Sequence, residues 1–68
     1  MKMNIEFYVR DIRKQRRMTI EELSAISGVS RSRIISIENS NADPKLSTIL
    51  SIANALRVEP RELYDYNI

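Results

Sequence analysis

The 68-residue chain has no cysteine and no histidine, a single glycine and only two prolines. Each scarcity removes a class of solution. Without cysteine there is no disulfide, and without cysteine or histidine the usual zinc site cannot be built; no metal or other cofactor is expected. A chain this short sits near the lower limit for a self-sufficient core, so its stability must come from close packing or from a partner subunit. Without cysteine, histidine or a glycine-rich phosphate loop, no nucleophile has a plausible base beside it. The carboxylates are better explained as caps, ion pairs and surface charge, and the chain is not expected to be an enzyme. No run approaches the roughly 18 apolar residues of a membrane span. The opening "MKMNIEFYV" is too short, and too interrupted by Asn4 and Glu6, for a signal peptide. The expectation is a soluble, cytoplasmic protein of one domain, residues 1–68.

With so little glycine and proline, and with apolar residues recurring at helical spacing almost throughout, the pattern predicts an all-α chain. A first helix is expected from about Asn4 to Arg16, with Ile5, Val9 and Ile12 as its buried stripe. A second starts at "TIEE", where Thr19 and Glu22 have the spacing of a capping box, and Glu21 and Glu22 suit a positive helix start. Leu23 and Ile26 supply its apolar face, and Gly28 ends it as a left-handed cap. A third begins at Ser30 and ends near Asn39 or Ser40. A fourth, about Lys45 to Leu56, carries Leu46, Ile49, Leu50, Ile52, Ala53 and Leu56, a stripe wide enough for a central, well-buried helix. A short fifth opens at Pro60, with Leu63 and Tyr64 tucking back onto the core.

Net charge is only +2, but its distribution is uneven. Arg10, Arg13, Lys14, Arg16 and Arg17 crowd one segment, Arg31 and Arg33 open another, and Glu59, Glu62 and Asp65 gather at the far end. One basic face and one acidic end is a footprint of nucleic-acid binding, though charge alone fits a solvated helix surface equally well.

The join at "SGVS" sharpens this. Two short helices meet there across a turn that must reverse with positive φ, which is the pattern of a helix-turn-helix at about residues 20–39. Val29 can plug the gap between them. On a wheel of the third helix, Ile34 and Ile37 define the inner side. Ser32 and Asn39 point away, flanked by Ser36 and Ile35, with Arg31 at the edge. That outer side suits a major groove: arginine can donate two bonds to guanine, serine can bond several bases, and an apolar group can meet a thymine methyl.

The carriers "VRDIRKQRRMTIEELSAISGVSRSRIISIEN" and "DPKLSTILSIANALRVEPRELY" together resemble the Cro and lambda-repressor-like helix-turn-helix regulators, also called the xenobiotic response element family. The resemblance covers about Ile5 to Tyr64. It implies a compact five-helix domain that binds double-stranded DNA, with a recognition helix at about residues 30–39. Carried over by position, Arg31, Ser32 and Ser36 match base-reading places and Ile35 lies beside them; Arg33 could reach a base or a phosphate. Thr19, Ser30, Asn39, Asn41 and Lys45 match phosphate-contacting places, with Lys14 and Arg17 as further phosphate candidates. Arg13 and Glu38 match a structural ion pair. Three positions depart from the pattern: Ile20 replaces a glutamine that often braces a phosphate, Ser24 replaces a usual alanine, and Ser40 replaces a common glycine after the third helix.

The function implied is a transcription regulator, a repressor or autoregulator, binding a palindromic operator as a homodimer. Tyr64, Tyr66 and Ile68, with Phe7 and Tyr8, are its candidate dimer surfaces. The alternative is a protein-binding module of the same fold, an antitoxin or antirepressor partner, with Ile35 and the aromatics as the sticky surface.

Overall fold

A computed structural model describes residues 4–67. The chain runs β1 (Asn4–Phe7), α1 (Val9–Gln15), α2 (Ile20–Ser27), α3 (Arg31–Glu38), α4 (Leu46–Leu56), a 3-10 turn (Pro60–Leu63) and β2 (Tyr64–Asn67). The expected all-α, five-helix chain is corrected in two places. Among the described residues there are four α-helices, and the expected fifth helix is a single 3-10 turn. A two-stranded antiparallel ribbon joins the two ends of the described chain. Pro60 does stand at the start of the turn. Only three residues separate it from "YDY", whose aromatics favour extended backbone, and so short a segment cannot offset the cost of nucleating an α-helix.

The first helix is correspondingly shorter than expected. Ile5 belongs to β1, where it faces Tyr66, while Phe7 faces Tyr64 and Glu6 faces Asp65. Alternation puts Ile5 and Phe7 on one face of the ribbon and Glu6 on the other. Phe7 and Tyr64 pack half-buried against the core, and the rings of Tyr64 and Tyr66 lie 6.3 Å apart. The Tyr8 N–H donates to the Leu63 carbonyl at 2.7 Å, tying the start of α1 to the 3-10 turn. Ile68, part of one expected dimer surface, lies outside the described residues.

Val9, Leu23, Ile34, Ile37, Ile52, Leu56 and Leu63 form the fully buried centre, with Ile49 and Ala53 beside them. Each helix contributes from one side, and α4 packs against α2, α1 and the 3-10 turn. The α4 stripe is narrower than expected. Ile49, Ile52, Ala53 and Leu56 are buried, but Leu46 is 70% exposed and Leu50 47%. These two leucines, one turn apart, stand on the shoulder of the helix beyond its covered side. Ile26, expected on the apolar face of α2, is 62% exposed.

Helix ends follow local chemistry. The Thr19 hydroxyl accepts the Glu22 N–H at 3.0 Å, and the Glu22 carboxylate accepts the Thr19 N–H at 2.8 Å, completing the capping box. Gly28 closes α2 at φ +76, and its N–H reaches the Ser24 carbonyl. A Cβ at Gly28 would meet nothing within 4 Å, so the demand for glycine there is conformational rather than steric. With only one glycine in the chain, the other left-handed positions fall to Arg17, Ser40 and Arg57. Ser40 closes α3 through paired bonds, from its own N–H to the Ile37 carbonyl and from the Asn41 N–H to the Ser36 carbonyl.

Candidate nucleic-acid interface

Helix α3 is held from beneath and open above. Ile34 and Ile37 have no exposed surface. At the end of the helix, the Glu38 side chain is only 2% exposed. Arg13 on α1 grips it with a fork: Nε donates to one carboxylate oxygen at 2.7 Å and Nη2 to the other at 3.1 Å. The third guanidinium nitrogen donates to the Met18 carbonyl at 2.9 Å. The Glu38 hydrogen bond raises the Arg13 pKa above its already high ordinary value, against the opposing effect of burial. The structure thus brings Arg13 and Glu38 together and fixes α3 relative to α1.

Arg10, which the sequence did not single out, joins the same cluster. Its Nε donates to Glu38 at 3.4 Å and its Nη2 to the Asn39 side-chain oxygen at 2.6 Å. The signal was available: Arg10 precedes Arg13 by one helical turn and so shares its side of α1. The contact matters for Asn39. With its oxygen occupied by Arg10, the donating amide end remains for another acceptor.

The start of α3 is organised by Ser30, whose hydroxyl accepts the Arg33 N–H at 3.2 Å and lies 3.4 Å from the Ser32 hydroxyl. Two shallow depressions meet here. One is lined by Ser30, Ser32, Arg33, Ser36 and Asn41. The other is lined by Ser30, Arg33 and Lys45 with the turn at Ser27–Val29 and the first turns of α4. Ser30 and Arg33 belong to both, so these six polar residues form one continuous surface across the starts of α3 and α4. Arg31, Ser32 and Arg33 are exposed, Ser36 is half-buried, and Ile35 is 39% exposed.

Lys14, Arg17 and Thr19 are exposed around the connection from α1 to α2 and line neither depression. The capping box occupies the Thr19 N–H and uses its hydroxyl as the acceptor of the Glu22 N–H. Ile20 turns inward and packs half-buried against the core. Arg31 is ion-paired to Glu21 on α2 at 3.0 Å, with both side chains mostly exposed.

The arrangement offers donors, two cationic forks and one apolar group along the outer side of α3, flanked by two helix starts. Donors, cations and an apolar group set out in this way suit recognition of another molecule's surface.

Comparison with known proteins agrees. A helix-turn-helix family profile matches residues 9–63. No curated protein matches at a significant level. Among solved structures, the restriction-modification controller protein C.AhdI from Aeromonas hydrophila is 35% identical, with a TM-score of 0.77, over 79% of this chain and 82% of that one. A protein from Bacteroides fragilis shares the fold at a TM-score of 0.81 and 21% identity, over 91% of this chain and 100% of that one. The transcriptional regulator VanUg does so at 0.78 and 20%, over 98% and 89%. The match over α1 to the 3-10 turn makes this chain a member of the Cro/C1-type helix-turn-helix family of DNA-binding transcription regulators.

Proposed function

We propose that the protein is a sequence-specific regulator that binds a palindromic operator as a homodimer, each copy laying α3 in the major groove, and that it acts as a repressor or autoregulator. The observation that carries the reading is the outer side of α3. Short polar side chains and two cations, Arg31 and Arg33, stand outward on a helix whose other side is fully buried and whose end is clamped by Arg13. Arg31, Ser32 and Ser36 read base edges, Ile35 meets a thymine methyl, and Arg33 reaches a base or a phosphate. Ser30, Asn39, Asn41 and Lys45 hold phosphates on one flank, and Thr19, Lys14 and Arg17 on the other. Arg13 and Glu38 serve the frame. The 35% identity to a controller protein supports the regulatory role.

Two copies are needed because one short helix offers few base contacts. Selection of bound duplexes from a random DNA pool tests the whole reading. The expected result is a palindromic consensus with half-site centres about 34–36 Å apart. Affinity should fall steeply with salt, because each neutralised phosphate releases counterions. Binding that is weak for every duplex and flat with salt would return the protein to the alternative class, a module that recognises another protein.

A further inference from the structure

Glu21 and Glu22 stand side by side in the first turn of α2, yet they have different occupations. Glu22 is consumed by the capping box. Glu21 reaches across the turn to Arg31, the first residue of α3, with Oε2 3.0 Å from Nη2. Arg31 is badly placed for its own helix, because a cation at a helix start opposes the dipole. Ser30 already provides the cap, so helix formation gives no reason for an arginine there. Both partners are more than half exposed, 60% and 62%, on the side where α3 presents its polar residues. An acid on a surface that meets phosphates weakens binding unless it serves the contact itself.

We propose that Glu21 is a positioning residue for base readout: it holds the Arg31 guanidinium by one nitrogen and so aims the remaining donors at the edge of a guanine. This rests on the assignment of Arg31 as a base-reading residue. An arginine reads guanine with two of its five N–H donors, paired on one edge of a planar guanidinium, and a free surface arginine samples many rotamers. A contact through one N–H of Nη2 restricts the side chain and leaves the other Nη2 N–H free to form a two-donor edge with its neighbouring nitrogen. When DNA covers the pair, lost water strengthens the attraction between them. Glu21 therefore acts in the bound state and favours guanine over other bases without touching DNA.

The test uses the full chain, the duplex recovered from the random pool, and a scrambled duplex of the same length. Binding of both is measured for the wild type, Glu21→Gln, Arg31→Ala and the double variant, with melting followed alongside. Removing an acid raises affinity for the scrambled duplex. Loss of aim lowers affinity for the selected one. The ratio of the two affinities should drop about two- to fivefold in Glu21→Gln, the range of an exposed ion pair. In the Arg31→Ala background the same change should leave the ratio unaltered. If Glu21→Gln raises both affinities by one factor in the wild-type background, Glu21 is surface charge and the proposal falls alone. If Arg31→Ala leaves base preference intact, the reading of Arg31 falls and takes the proposal with it. A ratio that dropped equally in both backgrounds would also overturn it, since Glu21 would then act through something other than Arg31.

Discussion

At the scale of single residues, two cations on the same basic surface should behave differently. Arg31 sits at the start of α3 where a fork can meet a base, and Lys45 is the capping position of α4, without a side-chain cap bond of its own. Arg31→Ala should relax preference at one base pair per half-site by about 1–3 kcal/mol. Lys45→Ala should weaken every duplex alike and lower the salt slope by about 0.9. Measuring both across a panel of single-base operator variants checks this, and identical profiles would refute the division. Ser40 offers a test of a different kind. It holds the left-handed position that closes α3, at φ +59. That conformation costs an L-residue roughly 1–2 kcal/mol, of which glycine's freer unfolded chain takes back about 0.4–1, so Ser40→Gly should stabilise by about 0.5–1 kcal/mol. A urea midpoint that did not rise would mean that the Ser40 side chain contributes more than the strain it carries.

At the scale of elements, the aim of α3 depends on one carboxylate. Glu38→Ala would leave the Arg13 guanidinium buried with only the Met18 carbonyl for company. The loss should be about 3 kcal/mol, the lower end of what breaking a buried pair costs, because that one bond survives. Thermal melting reads it, and a near-unchanged midpoint would remove Arg13 and Glu38 from the frame. Helix α2 carries a pH dependence of known sign. The hydrogen bond from the Thr19 N–H, followed by the one with its hydroxyl, holds the Glu22 carboxyl below its ordinary value of 4.5. A depressed folded pKa stabilises fully above 4.5 and ceases to do so as pH falls through the depressed value. Wild type should therefore melt higher than Glu22→Gln at neutral pH, and the two curves should converge in acid. A gap that stayed constant with pH would assign the difference to shape rather than charge.

At the scale of the whole molecule, the β1–β2 ribbon closes the chain upon itself and does so against an electrostatic cost. Glu6 and Asp65 face each other directly across it. Asp65→Lys exchanges like charges for an opposite pair and should stabilise by about 0.2–1 kcal/mol. Chemical unfolding measures it, and a fall in stability would mean that Asp65 has a partner that matters more than Glu6. The ribbon also shows how far the sequence could be read. The helix-turn-helix was legible because its determinants are local: Thr19 and Glu22 three residues apart, Gly28 at the reversal, Ser30 as a cap, Ile34 and Ile37 one turn apart. The same locality made the side of α3 that faces outward readable, and with it Arg31, Ser32, Ile35 and Ser36. The strands were not legible, since "NIEF" fits a helical stripe through Ile5, Val9 and Ile12 until "YDYN" arrives from the other end of the chain. Nor was the exposure of Ile26, Leu46 and Leu50, because periodicity says which residues share a face but not how much of that face a neighbour covers. Arg10 meeting Asn39, and Glu21 meeting Arg31, joined helices whose relative placement no spacing encodes. The sequence by itself determined the helix-turn-helix, its caps and the outward side of α3, through interactions a few residues long. Beyond the Arg13–Glu38 pair that the family resemblance implied, only the tertiary structure decided which charges meet across that frame, because those meetings depend on the packing of whole elements.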